Sequence, residues 1–214
     1  MEPAEGNVVD VYPDQLNSLE NALVGMKPGD TLLLHDGTYS LPPNGILLNV
    51  ERVTLRTASG EPLQVFLDGD FSVEDAITIT APGVTVAELT IRKVNGHGVV
   101  VSPTLGEESL ERARLYRVRI LDALQVAVTV LSAGSTYADG GEVACGEFKI
   151  TDEGREMLDG ACDIGGINLR STQGWLVRDN HFEQLWCQQG LAKPAVTLER
   201  GNGHSVIERN EVTD

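Results

Sequence analysis

The chain has 214 residues, of which 41% are hydrophobic, so it is long enough to bury a substantial core. Lys and Arg together number 16 against 32 Asp and Glu residues, which gives a formal net charge of −16. This excess disfavours nucleic-acid partners, and it disfavours any polyanion that divalent cations do not bridge. No apolar run approaches the ~20 residues of a membrane span, so no span is predicted.

The first residues, Met1 to Gly6, are polar and contain no basic segment followed by an apolar one. No secretion signal is therefore visible in them. Two interpretations remain: a cytoplasmic protein, or the mature piece of an exported protein. We favour the second, which predicts an extracellular or periplasmic location.

A short amphipathic helix is predicted near the N-terminus. Its apolar residues recur at helical spacing, at Leu16, Leu19, Leu23 and Met26. The pattern ends at the Pro and Gly of residues 27–30. We expect segment 13–29 to cover the open edge of the strands that follow it, as a terminal unit of a solenoid must.

Short β-rich runs then recur along the chain in two columns. The first column is led by Ile77, Val99, Val128, Ile167 and Val196. Its steps are 22, 29, 39 and 29 residues. The second column contains Leu55, Val86, Leu115, Val177 and Ile207. Its steps are 31, 29, 62 and 30 residues, the longest of which corresponds to two coils.

Two columns that share one step indicate coiling rather than a sandwich. The sequence therefore predicts an all-β fold, a right-handed parallel β-helix (β-solenoid), with its short helix as an N-terminal cap. We expect a single domain over 1–214, with all five residues of the second column buried. No comparable cap follows the last strand pattern, which predicts that the chain is truncated at the C-terminus.

Residues 134–164 interrupt the rhythm and are predicted to be a loop insertion. A long loop that leaves a rigid coil is a common place for specificity, although a loop without a ligand fits the pattern equally well. The cysteines, at positions 145, 162 and 187, fit no zinc spacing. We expect a disulfide between Cys145 and Cys162, and three unpaired thiols are the alternative.

The strings Arg178-Asp179-Asn180 and Glu208-Arg209-Asn210 lie 30 residues apart. Asparagines at the same bend of neighbouring coils can stack, each amide bonding the next while the Asn adopts the left-handed backbone of a sharp bend. We therefore interpret Asn180 and Asn210 as structural residues.

Several strings resemble the pectate-lyase-like superfamily of right-handed β-helices. "KPGDT", an apolar strand and "DGTY", within residues 27–39, resemble the entry coil of these proteins. Within 166–212, "WLVRDNHF", "LAKPAVTL" and "SVIERN" resemble the right-handed β-helix repeat proteins. The resemblance spreads over the chain outside most of 134–164, and it implies the fold rather than an activity.

A narrower resemblance concerns alginate lyases and chondroitinase B, which carry a Lys base and an Arg on a similar pair of coils. Here Arg170 stands at the Lys position and Glu199 at the Arg position. Arginine stays protonated, so Arg170 is a poor base for removing a proton α to a uronate carboxylate. The family's calcium ion is implied by the resemblance, but no clear ligand set is visible, so no metal or cofactor is identified.

If the apolar residues of the strands around 168 and 198 point inward, their polar neighbours share one outward face. We predict that Asn168, Arg170, Thr197 and Glu199 form an exposed patch that binds substrate, in which Arg170 and Glu199 form an ion pair. The adjoining turn carries Arg200 and His204. With Arg170 and Glu199, these two are the weak candidates for catalysis.

Three functions fit these observations. The first is a carbohydrate-associated protein that binds a polysaccharide or other glycan on the outward strand face. The second is a polysaccharide lyase or hydrolase with altered catalytic residues. The third is a structural spacer that presents the 134–164 loop.

Overall fold

The fold is an all-β solenoid of parallel strands. A computed structural model of the protein describes residues 6–15, 18–105, 109–158, 160 and 162–214. Three long parallel sheets run along its axis. Among the described residues, no helix is long and apolar enough to span a bilayer.

The elements of the first four coils are, in chain order, β1 (Val8–Val11), α1 (Ser18–Val24), β2 (Thr31–Leu34), β3 (Gly37–Ser40), β4 (Ile46–Leu48), β5 (Thr54–Thr57), β6 (Val65–Asp68), β7 (Ile77–Ile79), β8 (Thr85–Ala87), β9 (Thr90–Val94) and β10 (Val99–Val101). The later elements are β11 (Leu110–Glu111), β12 (Arg114–Tyr116), β13 (Arg119–Ala123), β14 (Val126–Leu131), β15 (Ala138–Asp139), β16 (Glu142–Ala144), β17 (Glu147–Lys149), α2 (Asp152–Glu156), β18 (Gly165–Arg170), β19 (Leu176–Arg178), β20 (His181–Glu183), β21 (Val196–Glu199), β22 (Val206–Glu208) and β23 (Glu211–Thr213).

Each full coil contributes one strand to each of three sheets. Sheet A has the order β1-β2-β5-β8-β12-β16-β19-β22. Sheet B has the order β3-β6-β9-β13-β17-β20-β23, and sheet C has the order β4-β7-β10-β14-β18-β21. The chain passes from A to B to C and then into the next coil. The prediction of a right-handed parallel β-helix is confirmed by these sheets and by the structural comparisons described below.

The predicted columns coincide with the register of the sheets. In sheet A, Leu55, Val86 and Leu115 are successive partners, and Val143 occupies the coil missing between Leu115 and Val177. These residues are at most 1% exposed. Ile207, also predicted to be buried, is 43% exposed because its strand, β22, ends the sheet and no further strand covers it.

A left-handed residue turns the chain from sheet A to sheet B in five successive coils. The positive φ angles there lie between 52° and 59°, at Glu88, Arg117, Cys145, Asp179 and Arg209. This backbone was expected at the asparagines, but the residue before each asparagine, Asp179 or Arg209, adopts it. The asparagine is thereby turned inward, where its amide can bond the neighbouring coils.

Asn180 lies at the centre of this corner and is 2% exposed. Its Oδ1 accepts a hydrogen bond from the Gly146 backbone N–H at 2.8 Å. Its Nδ2 donates to the Val143 carbonyl and to Asn210 Oδ1, both at 2.9 Å. The predicted asparagine ladder is therefore present, and it joins three coils.

The N-terminal cap is shorter than predicted and is preceded by a strand. Helix α1 packs against β1 and β4, and Leu19 is its buried residue. Leu23 and Met26 pack at the edge of the core, whereas Leu16 lies outside the described residues. Strand β1 pairs with β2 and was not predicted, because its four residues carry no clear alternation.

The segment 134–164 is not one loop insertion, so this prediction is wrong in its extent. Strands β16 and β17 belong to sheets A and B and pair with their neighbours on both sides. Outside these strands, residues 150–158, which include α2, belong to an enlarged connection between sheets B and C. Residues 134–141 belong to the connection from sheet C to sheet A. The strands were missed because glycines flank them and each has three residues.

The predicted disulfide between Cys145 and Cys162 is wrong. Cys162 bonds Cys187, with 6.0 Å between the Cα atoms, and Cys145 is a free, exposed thiol. The reason is topological. Cys162 and Cys187 lie on connections from sheet B to sheet C in adjacent coils, whereas Cys145 lies at the corner between sheets A and B.

Replacing Asn180 with Ala should lower the free energy of unfolding by about 3 kcal/mol, because two buried backbone groups, the Gly146 N–H and the Val143 carbonyl, lose their partner. Urea denaturation measures this change. Asn95→Ala is the control, since Asn95 is exposed and among the described residues its side chain bonds Glu74 alone. This variant should stay within about 0.5 kcal/mol of the wild type. Equal effects of the two variants would contradict the structural role of Asn180.

Replacing Cys162 and Cys187 together with Ser should cost about 3 kcal/mol of stability, because the bond closes a loop with a sequence separation of 25 residues. Thermal unfolding without reductant measures the loss, and Cys145→Ser should leave the midpoint nearly unchanged. Alkylation of the unfolded, unreduced protein should modify one thiol, at position 145. Modification of all three cysteines would show that the bond does not form.

Candidate functional site

The four residues predicted to bind substrate lie on two adjacent strands of sheet C. Asn168 is the register partner of Thr197, and Arg170 is the partner of Glu199. Their side chains point outward because the alternate residues of β18, Ile167 and Leu169, are fully buried. The structure therefore brings the four together as two rows across the strands, which we call the sheet C patch.

The patch is half-buried rather than fully exposed, since all four residues have intermediate accessibility. Strand β21 is the last strand of sheet C, so its inward positions are less covered than those of β18. Leu198 is 47% exposed for this reason. Alternation thus predicted the direction of the side chains correctly, but not the degree of their burial.

The predicted ion pair between Arg170 and Glu199 does not form. Within the described part of the chain, neither side chain has an ionic partner within 4.0 Å or a side-chain hydrogen bond. Pairing two long, partly exposed side chains gains little free energy and costs rotamer freedom. Both side chains therefore keep their hydrogen-bonding groups available.

The outward faces of sheets A and B differ in this respect. Glu142 lies between two arginines of neighbouring coils, 3.0 Å from Arg114 Nε and 2.7 Å from Arg178 Nη2. On sheet B, Arg119 makes two hydrogen bonds to Glu147, at 2.7 and 2.9 Å. These bonds from Arg119 lower the pKa of the Glu147 carboxyl.

The same pattern continues at the corner between sheets A and B. Asp179 accepts hydrogen bonds from Arg209 and Arg178, which lower the pKa of its carboxyl to about 2. Charged side chains on these two sheets thus neutralise one another across the coils. In the sheet C patch, by contrast, Arg170 and Glu199 form no ion pair with any described residue.

Two buried oxygens near the patch also lack partners. Thr129 Oγ1 and Asn168 Oδ1 have no hydrogen-bond partner among the described residues. Thr129 and Asn168 are register partners on β14 and β18, so the two oxygens belong to one row. Asn168 as a residue is half-buried, although this oxygen is not accessible.

Asn202 fixes the ends of both patch strands, a role that the sequence analysis did not assign. Its Oδ1 accepts from the Thr172 N–H at 3.1 Å and from the Thr172 hydroxyl at 2.8 Å. Its Nδ2 donates to the carbonyls of Leu169 and Glu199, at 2.6 and 2.7 Å. The signal was present in the sequence, since Asn202 follows its strand by three residues, next to Gly201.

An open cleft of about 300 Å³ lies at the adjoining corner between sheets C and A. Its lining residues are Glu111, Arg112, Asp139, Gly140, Gln173, Gly174 and His204. His204, a candidate from the sequence, therefore lies in this corner cleft, whereas Arg200 is exposed outside it. Asp139 and Gly140 belong to segment 134–164, which therefore walls a cleft next to the patch.

No group of three or more His, Cys, Asp or Glu side chains is positioned to hold a metal ion in the described residues. The calcium ion that the resemblance implies stays a prediction. The corner cleft contains two acidic residues, Glu111 and Asp139, and Asp139 Oδ1 accepts a hydrogen bond from the Gln173 N–H at 2.7 Å.

No protein-family model matches the chain, and no curated protein matches its sequence. Solved structures match it at low identity. A pectate lyase superposes with a TM-score of 0.62 and 11% identity, over 84% of this chain and 48% of that protein. An alginate lyase from Paenibacillus sp. superposes with a TM-score of 0.60 and 16% identity, over 96% of this chain and 76% of that one.

A lacto-N-biosidase from Eubacterium ramulus also matches, with a TM-score of 0.57 and 12% identity, over 98% of this chain and 56% of that protein. The chain thus spans about half the length of this protein and of the pectate lyase. At such identities the likeness concerns the fold alone. The protein has the right-handed parallel β-helix fold that these enzymes share.

Proposed function

We propose that the protein binds a glycan on the outward face of sheet C, through Asn168, Arg170, Thr197 and Glu199. The observation that carries this proposal is the contrast between the sheets. Charged groups on sheets A and B bond one another, while Arg170 and Glu199 face each other without a bond. Free donors and acceptors on a rigid face are what a sugar hydroxyl needs.

The spacing of the patch supports the same ligand class. Its rows follow the solenoid axis, with one polar side chain every ~4.8 Å, the separation of neighbouring strands. Thr129, Asn168 and Thr197 form one row, and Arg170 with Glu199 forms the next. A linear chain of sugar rings laid along the axis would contact Asn168 and Thr197 in one row and Arg170 and Glu199 in the other, whereas Thr129 is buried. The matching structures, which act on polysaccharides according to their names, add support through the fold only.

Binding fits the patch better than catalysis. Hydrolysis of a glycosidic bond uses two carboxyl groups, and Glu199 is the one carboxylate of the patch. Elimination needs a base, and Arg170 stays protonated. A lyase or hydrolase with altered residues, using Arg200 or His204, and a spacer without a ligand are the alternatives that the experiment below tests.

We also propose an extracellular or periplasmic location. The Cys162–Cys187 bond supports it, because disulfides persist in oxidising compartments. The paired charges on sheets A and B keep most of the surface free of unbalanced cations. Together with the net charge of −16, they disfavour nucleic acid as a ligand on electrostatic grounds.

Arg170→Ala should weaken glycan binding about 5- to 150-fold, the loss of one charge-assisted hydrogen bond, worth about 1–3 kcal/mol. The ligand is taken from a glycan array, and its affinity is measured by calorimetry for the wild type and the variant. Thermal stability should change little, since the Arg170 side chain has no ionic or hydrogen-bond partner in the part of the chain that the structure describes. Arg114→Ala is the matched control, an outward arginine on sheet A that should leave the affinity unchanged.

Three results would contradict the proposal. An array without a hit favours the spacer. Equal affinity of Arg170→Ala and wild type for every ligand that the array yields would show that no glycan binds the patch. New products from alginate, pectate or chondroitin would show an enzyme: unsaturated uronates, detected by absorbance, a lyase, and saturated reducing ends a hydrolase.

A further inference from the structure

A second cleft lies far along the chain from the sheet C patch. It is an open cleft of about 720 Å³ at the corner between sheets A and B in the first three coils. Its lining residues are Tyr12, Pro13, Asp14, His35, Asp36, Ala58 and Ser59. We call it the N-terminal cleft. The glycan site proposed above uses none of these residues.

One column of the solenoid forms the wall of this cleft. Tyr12, His35 and Ala58 each follow directly after a strand of sheet A, at the same register position. The backbone bonds confirm the alignment, since His35 N–H bonds the Val11 carbonyl and Ala58 N–H bonds that of Leu34. The rings of Tyr12 and His35 are stacked, with centroids 4.1 Å apart and planes 16° from parallel.

The stack stops at its third member. Ala58 offers only a methyl group where the first two coils supply rings, and it is exposed. A slot of one ring's thickness is therefore left beside the face of His35 that points away from Tyr12. The orientation of the His35 ring is fixed by Asp10, whose Oδ1 lies 2.7 Å from His35 Nε2.

The corner is built rigidly around the slot. Gly37 has a φ of +143°, and a Cβ there would lie 2.5 Å from Cγ of Pro13, so Pro13 packs directly on the glycine. The Tyr39 hydroxyl lies 2.7 Å from the Val11 carbonyl and 2.8 Å from the His35 carbonyl, and its one hydrogen is shared between them. The "DGTY" string thus shapes the cleft as well as the entry coil.

The charge of the cleft is negative. Asp14 and Asp36 line it, and no Lys or Arg is among its described lining residues. Burial raises the pKa of Tyr39 to about 12, and the charges of Asp14 and Asp36 add to this rise. Both carboxylates therefore lie close enough to contribute negative charge at the corner that Tyr39 occupies.

We propose that the N-terminal cleft is a second carbohydrate site, which binds a sugar ring without acidic groups. The C–H face of the ring would fill the slot over Ala58 and stack on His35, in van der Waals contact. Its hydroxyl or amino groups would bond Asp14 and Asp36, since carboxylates accept from both. Coulomb attraction ranks an amino sugar first, a neutral sugar second and a uronate last.

Calorimetry with three tetrasaccharides tests the proposal: β-1,4-linked glucosamine, cellotetraose and tetragalacturonate. Wild-type protein should bind them with affinity falling in that order. Ala58→Trp fills the slot with the protein's own ring, so binding of the glucosamine tetramer should fall at least tenfold. Tyr12→Ala removes the support of the stack and should also weaken binding about tenfold. Thermal unfolding shows that each variant is folded.

Arg170→Ala is the control that separates the two sites, and it should bind the glucosamine tetramer as the wild type does. Asp14→Asn should reduce the preference for glucosamine over cellotetraose. Three results would overturn the inference: no binding of the first two tetramers, tightest binding of tetragalacturonate, or unchanged binding by Ala58→Trp. Failure of the sheet C proposal changes none of these readings, because the variants lie on different coils.

Discussion

Register is the constraint on which this structure depends. Parallel strands pair residue for residue from coil to coil, so each position of a coil meets its equivalents above and below. Inward columns must then be apolar, and outward columns decide which side chains can reach one another. The repeated left-handed corner, at Glu88, Arg117 and Cys145 among others, keeps the register because five successive coils turn at the same place. Asn180 and Asn202 reinforce it by bonding the backbone of neighbouring coils.

Stacking also explains why the surface charges are arranged in ladders. A carboxylate between two arginines one coil away satisfies both, as Glu142 does for Arg114 and Arg178. Exposed pairs of this kind add little stability each. Their greater effect is to prevent like charges from stacking in a column. Polar columns without this internal pairing, such as the sheet C patch, differ from them because their side chains can form hydrogen bonds with a ligand.

The sequence predicted what depends on local alternation and shared spacing. The columns of Leu55 and Ile77, the outward direction of Arg170 and Glu199, and the stacking of Asn180 on Asn210 all follow from period and step. It could not predict what depends on corners. Cys162 bonds Cys187 rather than Cys145 because of the corner that each occupies. Strands β16 and β17 were not predicted because each has only three residues and glycines flank them. The Arg170–Glu199 ion pair was wrongly predicted because spacing determines which residues are neighbours but not which rotamers their side chains adopt.

In the N-terminal cleft, the same register places aromatic rings of adjacent coils on top of one another. In a solenoid, an aromatic residue gains most when its equivalents in adjacent coils are also flat, as the Phe148 and Phe182 rings are in the core, 5.0 Å apart. Tyr12 and His35 obey this rule on the surface, and Ala58 ends the stack with one ring face uncovered. An unfinished stack in the core would be a cavity that costs stability. On the surface, beside Asp14 and Asp36, the same gap is open to a ligand whose ring can complete the column.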